Sequence, residues 1–132
     1  MKTREIENII LKDLCDRGFP VFLPRFEMAG FSEADVFGIN KNKYIYEYEI
    51  KTSKADFKAD FKKTHKHRLL KERKAGQEYY IFKRGTKTNE KEFHIRTPNR
   101  FFYACVPSLI TPEQIPLYAG LIYIYTKTNY LK

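Results

Sequence analysis

Two acidic residues and one lysine in this sequence are spaced so that they could act together. Asp35 lies in one short apolar stretch, and Glu49 and Lys51 end the next one, after a polar turn. Alternate side chains of a strand share a face, so Glu49 and Lys51 point to the same side of a predicted strand. Pairing of the two stretches as a hairpin would bring Asp35 opposite Glu49, and two carboxylates would then meet one ammonium group.

Two carboxylates beside a lysine suit metal-assisted chemistry at phosphorus. Mg²⁺ binds through one or two carboxylates and otherwise keeps waters and phosphate oxygens. Lys51 would orient or help deprotonate the attacking water, while the metal ion neutralises charge on the phosphate. Glu49 and Lys51 alone are equally well explained by a salt bridge. The addition of Asp35, and of a capped helix directly after Lys51, favours a site at the strand end, where open α/β sheets bind ligands.

The elements that must position these residues follow from hydrophobic periodicity. A helix is predicted over residues 4–17, with Thr3 as its N-cap and Gly18 as its stop. Capping-box spacing predicts that a second helix begins at Ser53, and either one helix or two broken pieces would fit the sequence before Gly76. The other predicted elements are an edge strand at 19–24, a hairpin of 34–39 and 44–51, a second hairpin of 78–83 and 91–96, a buried strand at 101–106, a helical turn at 111–114 and a last strand at 120–125.

This order of elements predicts a single α/β domain over residues 1–132, with a mixed sheet. Of the 132 residues 42% are hydrophobic, which is enough to fill a core and excludes a disordered or low-complexity chain. No apolar run is long enough to span a membrane, so we expect an intracellular protein. The two cysteines, Cys15 and Cys105, suggest neither a disulfide framework nor a zinc site, and both are expected to be buried thiols.

The positive charge of the chain is regional. Its net charge is +9, and residues 51–100 hold 16 Lys and Arg against 6 Asp and Glu. A basic region on an otherwise near-neutral domain is typical of proteins that bind a phosphate backbone, although a hydrated lysine-rich surface has the same composition. The candidate contacts to nucleic acid are Ser53, Lys62, Lys63, Lys66, His67 and Arg68, which would project from the second helix if it continues.

The combination of Asp35 with Glu49-Ile50-Lys51 resembles the active-site signature of the PD-(D/E)XK nuclease superfamily, with Ala34 in place of the name-giving proline. Four segments, 33–36, 48–60, 101–107 and 115–122, further resemble the MmcB-type DNA-repair nucleases and related phage-encoded proteins. The resemblance implies a restriction-endonuclease-like αβββαβ core, here with a basic insert of helix and hairpin at about residues 64–100. That insert is longer than in the MmcB-type pattern.

The same resemblance implies a function. The protein would be a Mg²⁺-dependent DNA endonuclease, with Mn²⁺ as a possible substitute, in which Asp35 and Glu49 hold the metal and Lys51 is the catalytic lysine. It would act in bacterial or phage DNA repair or recombination, in the bacterial cytoplasm, and it could work as a homodimer. Two alternatives remain open from the sequence: a non-catalytic nucleic-acid-binding module on the same fold, and a basic protein-interaction domain.

Overall fold

The computed structural model describes residues 2–27, 33–72, 78–83 and 91–125. In chain order the elements are α1 (Thr3–Asp16), β1 (Val21–Glu27), β2 (Glu33–Ile39), β3 (Ile45–Ile50), α2 (Lys54–Asp60), α3 (Thr64–Glu72), β4 (Glu78–Lys83), β5 (Lys91–Arg96), β6 (Arg100–Cys105), a 3₁₀ turn (Pro112–Gln114) and β7 (Gly120–Tyr123). None of the helices in these ranges is long and apolar enough to cross a membrane.

The main sheet has five strands in the order β1-β2-β3-β6-β7. β1, β2 and β3 pair antiparallel, whereas β6 joins β3 in parallel and β7 joins β6 in parallel. The chain reaches β6 from β3 through helices, as parallel neighbours require. The predicted α/β class with a mixed sheet and with β1 at an edge is therefore confirmed. The predicted second hairpin is present as a separate two-stranded antiparallel sheet, β4-β5.

Both faces of the main sheet are covered. α1 buries Ile6, Ile10 and Leu14 against one face, in a cluster that also contains Tyr48 and Ile50 of β3. The opposite face is covered by residues of α2 and α3, which join side chains of β3 and β6 in a second cluster that includes Phe57, Leu69, Leu70, Phe101 and Tyr103. Because side chains alternate along a strand, Glu49 of β3 points into this second layer.

Local sequence signals placed most helix ends correctly. Gly18 follows α1 with a φ of 77°, a conformation that glycine adopts without strain, and Ser53 is the N-cap of α2, its hydroxyl accepting a hydrogen bond from the Asp56 amide. The predicted N-cap of α1 was wrong: Thr3 is already helical, and Lys2 holds the cap position without a side-chain bond. Cys15 was also predicted wrongly, since it is exposed on α1, whereas Cys105 is buried.

The helical segment after Ser53 is interrupted between α2 and α3. Of the two possibilities that the sequence left open, one helix or two pieces, the second is therefore correct. Residues 61–63 form a turn, and α3 starts afresh at Thr64. Leu69 and Leu70 of α3 are buried in the core beside β6. α3 falls at the start of the predicted basic insert of about residues 64–100, and its apolar face packs into the main core. The extent of that insert stays a prediction.

Candidate active site

The hairpin of β2 and β3 brings the first two candidate residues together. Val36 is paired with Tyr48, so Asp35 and Glu49, the next residues outward, lie on neighbouring strands at the same level. Oδ2 of Asp35 accepts a 2.7 Å hydrogen bond from the Ile50 amide, which fixes this carboxylate against the end of β3. The expected juxtaposition of Asp35 with Glu49 is present in the structure.

Lys51 completes the group at the end of β3. Its backbone amide donates a 2.9 Å hydrogen bond to Ala104 on β6, which holds the residue in the sheet. Its Nζ lies 3.7 Å from Oε2 of Glu49 and 3.5 Å from Oδ1 of Asp60. The side chains of Lys51 and Glu49 are only 10% and 5% exposed, so their interaction is a mostly buried ion pair and not the surface salt bridge that the sequence also allowed.

Asp60, the last residue of α2, lies at the centre of the buried polar cluster. Its side chain is fully buried, and Oδ2 accepts hydrogen bonds from the Tyr103 hydroxyl at 2.6 Å and the His67 ring at 2.9 Å. Oδ1 lies 3.0 Å from Nζ of Lys66. A buried carboxylate needs this number of donors to offset its lost hydration.

Lys66 connects the two buried carboxylates. Its Nζ lies 3.1 Å from Oε1 of Glu49 and 3.0 Å from Oδ1 of Asp60, and the side chain is 2% exposed. The aromatic ring of Phe101, on β6, lies 4.9 Å from the same ammonium group and adds a cation–π contact. Glu49 thus has two lysine neighbours: Lys66 contacts Oε1, and Lys51 lies nearer to Oε2.

His67 extends the cluster toward the surface. One ring nitrogen faces Asp60, and the other lies 2.6 Å from the hydroxyl oxygen of Tyr118, a half-buried residue that follows the 3₁₀ turn. The imidazole ring also stacks on Phe61 at a centroid distance of 4.7 Å. The turn that carries Tyr118 is therefore tied through His67 to Asp60.

The environment shifts the pKa values of both buried carboxyl groups, in opposite directions. Burial raises the pKa of Glu49, the charge of Lys66 offsets part of this effect, and the nearby charges of Asp35 and Asp60 add to it. Burial also acts to raise the pKa of Asp60, but the hydrogen bond from His67, the charge of Lys66 and the hydrogen bond from Tyr103 outweigh it and hold that pKa well below its usual range. Asp60 is therefore a fixed negative charge.

The predicted nucleic-acid contacts divide into exposed and buried residues. Lys62, Lys63 and Arg68 are exposed around the turn and on α3, as expected. Ser53 is half-buried and caps α2. Lys66 and His67 are buried and bonded to Asp60, so the expectation that they project toward a phosphate backbone was wrong. α3 starts afresh after the turn at 61–63, and Lys66 and His67 point inward to Asp60.

Sequence reasoning missed Asp60 and the inward orientation of Lys66, although signals for both were present. Asp60 stands three residues after Phe57 and directly before Phe61, so it shares the apolar face of α2. Lys66 stands three and four residues before the buried Leu69 and Leu70, on the buried face of α3. A charged residue at a core position of a helix indicates a buried partner, and here the two residues are each other's partner.

Asp35 and Glu49 are the candidate donors for a metal ion. In the described ranges, no group of three or more Asp, Glu, His or Cys side chains is arranged to hold a metal. Two carboxylates nonetheless fit Mg²⁺, which completes its shell with waters and phosphate oxygens. Asp35 uses Oδ2 for the Ile50 amide, and Glu49 uses Oε1 for Lys66. The other oxygen of each carboxylate takes no part in these two bonds, and that of Glu49, Oε2, lies 3.7 Å from Nζ of Lys51.

Comparison with known proteins adds support for the fold alone. No family model matches the sequence, and no curated protein matches it. Among solved structures, the chain is similar to the SPO1766 protein of unknown function from Silicibacter pomeroyi, with a TM-score of 0.59 and 21% sequence identity. The match covers 93% of this chain and 64% of that protein, so this chain spans less than two thirds of its neighbour's length. The resemblance to PD-(D/E)XK nucleases stays a prediction.

Proposed function

We propose that this protein is a divalent-metal-dependent DNA nuclease with Asp35, Glu49 and Lys51 as its active-site residues. The observation that carries the proposal is their convergence at the end of β3. Asp35 lies beside Glu49, and Lys51 Nζ is 3.7 Å from Glu49 Oε2. Carboxylates and an ammonium group at one strand end are the parts that hydrolysis of a phosphodiester requires.

The charge of the cluster favours a cation together with a phosphate. With all five groups ionised, three carboxylates face two buried ammonium groups, which leaves one net negative charge: Asp35, Glu49 and Asp60 against Lys51 and Lys66. A divalent cation and one phosphodiester would together bring this cluster to neutrality. Buried charge is costly unless it is balanced, so this combination is the one the cluster accommodates at lowest cost.

Each residue then has a defined task. Asp35 and Glu49 would hold the metal ion, which supplies charge neutralisation at the scissile phosphate. Lys51 orients the attacking water and a phosphate oxygen through its Nζ, which Asp60 restrains at 3.5 Å. Tyr103 and His67 keep Asp60 in place through their hydrogen bonds to its Oδ2.

The exposed basic residues next to the cluster favour DNA as the substrate. Lys63 Nζ lies 3.6 Å from Asp60 Oδ1 while its side chain is 55% exposed, so the basic surface is continuous with the buried site. This surface, which we call the α2–α3 basic surface, consists of Lys54, Lys58, Lys62, Lys63 and Arg68. Phosphate contacts of this kind hold a duplex or a single strand without reading its sequence.

The direct test is cleavage of linear, single-stranded, nicked and branched DNA with Mg²⁺ or Mn²⁺. We expect the wild-type protein to cut at least one of these substrates, and Glu49→Gln and Lys51→Met each to lower the rate at least ~100-fold while the fold is retained. Lys12→Met is the matched control, because Lys12 is an exposed lysine paired with Asp16 on α1, on the opposite face of the sheet. Cleavage that survives in Glu49→Gln would refute the assignment of the site.

A non-catalytic DNA-binding module is the second candidate. The observation in its favour is that Lys66 already neutralises Glu49 at 3.1 Å, so the buried cluster is close to charge balance without a metal ion. This candidate predicts DNA binding that depends on the α2–α3 basic surface, no cleavage under any metal condition, and no change in affinity on Glu49→Gln. The same substrate panel therefore separates the two candidates.

A further inference from the structure

The position of Lys66 is unusual for a lysine on a short helix in a basic segment. Its side chain is 2% exposed, and its ammonium group lies between Glu49 Oε1 at 3.1 Å and Asp60 Oδ1 at 3.0 Å. An ammonium group is withdrawn from water only where carboxylates compensate for its lost hydration. Lys66 thus acts on Glu49 as a bound cation would, and it belongs to the chain itself.

Asp60 is what keeps Lys66 in this position. Its carboxylate is fully buried and is held by the Tyr103 hydroxyl, on β6 beside the central strand β3, and by His67, one residue after Lys66. The ammonium group also lies over the ring of Phe101. These contacts hold Lys66 from the side of the core. Its contact with Glu49 connects it to the candidate metal position at the end of β3.

We propose that Lys66 is an internal counter-ion that competes with the divalent cation for Glu49 and makes the site bind this cation weakly. The inference rests on the proposed function, in which Asp35 and Glu49 hold the metal ion. Lys66 occupies Oε1 of Glu49 and places a positive charge next to the cation position. The chain therefore stabilises its own metal-free site, and the metal ion binds against the repulsion of this lysine.

The direction of the effect distinguishes this role from two simpler ones. A competing charge, once removed, leaves a tighter metal site, because the repulsion between Lys66 and the cation is lost. A lysine that oriented Glu49 for the metal ion would leave a weaker site when removed. A lysine that only stabilised the fold would leave the affinity for metal unchanged and lower the stability alone.

The test is isothermal titration calorimetry at pH 8, in which the DNA-free protein is titrated with Mg²⁺ and, in a parallel experiment, with Ca²⁺. We expect Lys66→Met to bind each cation at least roughly tenfold more tightly than the wild type does. Lys12→Met, which removes an exposed lysine from its pair with Asp16, is expected to leave the affinity unchanged. Equal or weaker binding by Lys66→Met would overturn the inference.

A second variant and a second signal keep the test independent of folding. Asp60→Asn combined with Lys66→Met removes the buried pair without leaving Asp60 as an unpaired charge, and it is expected to bind Mg²⁺ several-fold more tightly than the wild type. In the wild type, the ¹⁵N resonance of the Lys66 ammonium group is expected to shift with Ca²⁺ at the midpoint found by calorimetry. An ammonium ¹⁵N chemical shift that stays unchanged when Ca²⁺ binds would contradict competition between Lys66 and the cation at Glu49.

Failure of this inference is distinguishable from failure of the proposed function. Metal binding that Glu49→Gln abolishes, but that Lys66→Met leaves unchanged, would retain the metal site and refute the role of Lys66. Absence of metal binding in the wild type and in both Lys66 variants would refute the metal site and this inference together.

Discussion

The hydroxyl of Tyr103 donates a 2.6 Å hydrogen bond to Oδ2 of Asp60. Tyr103 lies on β6, paired in parallel with Glu49 of β3, whereas Asp60 ends α2. This bond therefore joins the helical layer to the strand beside the candidate metal ligand. Both groups are buried, and burial together with the hydrogen bond to Asp60 raises the pKa of Tyr103, so the phenol keeps its proton and acts as a donor.

Tyr103→Phe is expected to lower the free energy of unfolding by about 2 kcal/mol, because a hydrogen bond to a buried charged group is lost. Urea unfolding at pH 7 measures the change. Tyr123→Phe is the matched control: its hydroxyl donates a bond of the same 2.6 Å length to the neutral carbonyl oxygen of Ile110, and a loss of about 1 kcal/mol is expected there. A larger loss in Tyr123→Phe than in Tyr103→Phe would contradict the central role of Asp60.

Asp60→Asn is expected to destabilise the protein in a pH-dependent manner. The pKa of Asp60 in the folded state lies below its usual value of 3.8, so its charge contributes stability that is complete above that pH and is lost as the pH falls below it. The substitution should cost about 3 kcal/mol at pH 7, since it leaves Lys66 without its closest carboxylate. The difference in the free energy of unfolding between Asp60→Asn and the wild type should become smaller in urea unfolding series run from pH 7 to pH 3.

Asp16→Asn is the control for this series, because Asp16 forms an exposed pair with Lys12 and its substitution is expected to leave the stability nearly unchanged. A gap between Asp60→Asn and the wild type that stays constant down to pH 3 would show that protonation of Asp60 is not linked to folding.

The pKa of Glu49 is expected to respond oppositely to its two neighbours. Burial raises this pKa, Lys66 offsets part of the effect, and Asp35 adds to it through like-charge repulsion. Asp35→Asn should therefore lower the pKa of Glu49, and Lys66→Met should raise it further. Titration of the side-chain ¹³C carboxyl resonance of Glu49 measures both. Shifts of the same sign in the two variants would contradict the placement of Glu49 between a carboxylate and an ammonium group.

The α2–α3 basic surface is expected to set the salt dependence of DNA binding. Lys62 and Arg68 are exposed, so their substitution by alanine should leave the fold intact and weaken binding to all sequences alike. For duplex DNA, the slope of log affinity against log salt concentration should fall by about 0.9 for each phosphate contact removed. Fluorescence anisotropy without metal ions measures the slope. Lys12→Ala should leave the slope unchanged. An unchanged slope in Lys62→Ala and Arg68→Ala would show that this surface does not contact the DNA phosphates.

Much of the fold could be predicted from the sequence because the relevant signals are local. Two β stretches around a short polar turn give β2 and β3, and their pairing follows from chain proximity. Ser53 and Gly18 mark helix ends through bonds and dihedral angles within their own neighbourhood. The pairing of Asp35 with Glu49 belongs to this class, since a hairpin fixes which residues face each other.

The errors have a different origin. Cys15 shares α1 with buried residues but lies on its solvent face, and composition alone does not reveal that face. The charge of Lys66 and His67 predicts a surface position for both, whereas the turn at 61–63 redirects α3 so that both point toward Asp60. Whether a charged side chain of a helix is hydrated or buried depends on what packs against that helix.

Local periodicity and the geometry of one hairpin are enough to predict the α/β class, most of the strands and helices, and the convergence of Asp35, Glu49 and Lys51. The central position of Asp60 and the contact of Lys66 with Glu49 arise from the packing of the helices on the sheet. These contacts join α2 and α3 to each other and to β3, and the Tyr103 hydroxyl adds a contact from β6. Their energies depend on burial and on compensating partners, which exist only once the helices have packed on the sheet.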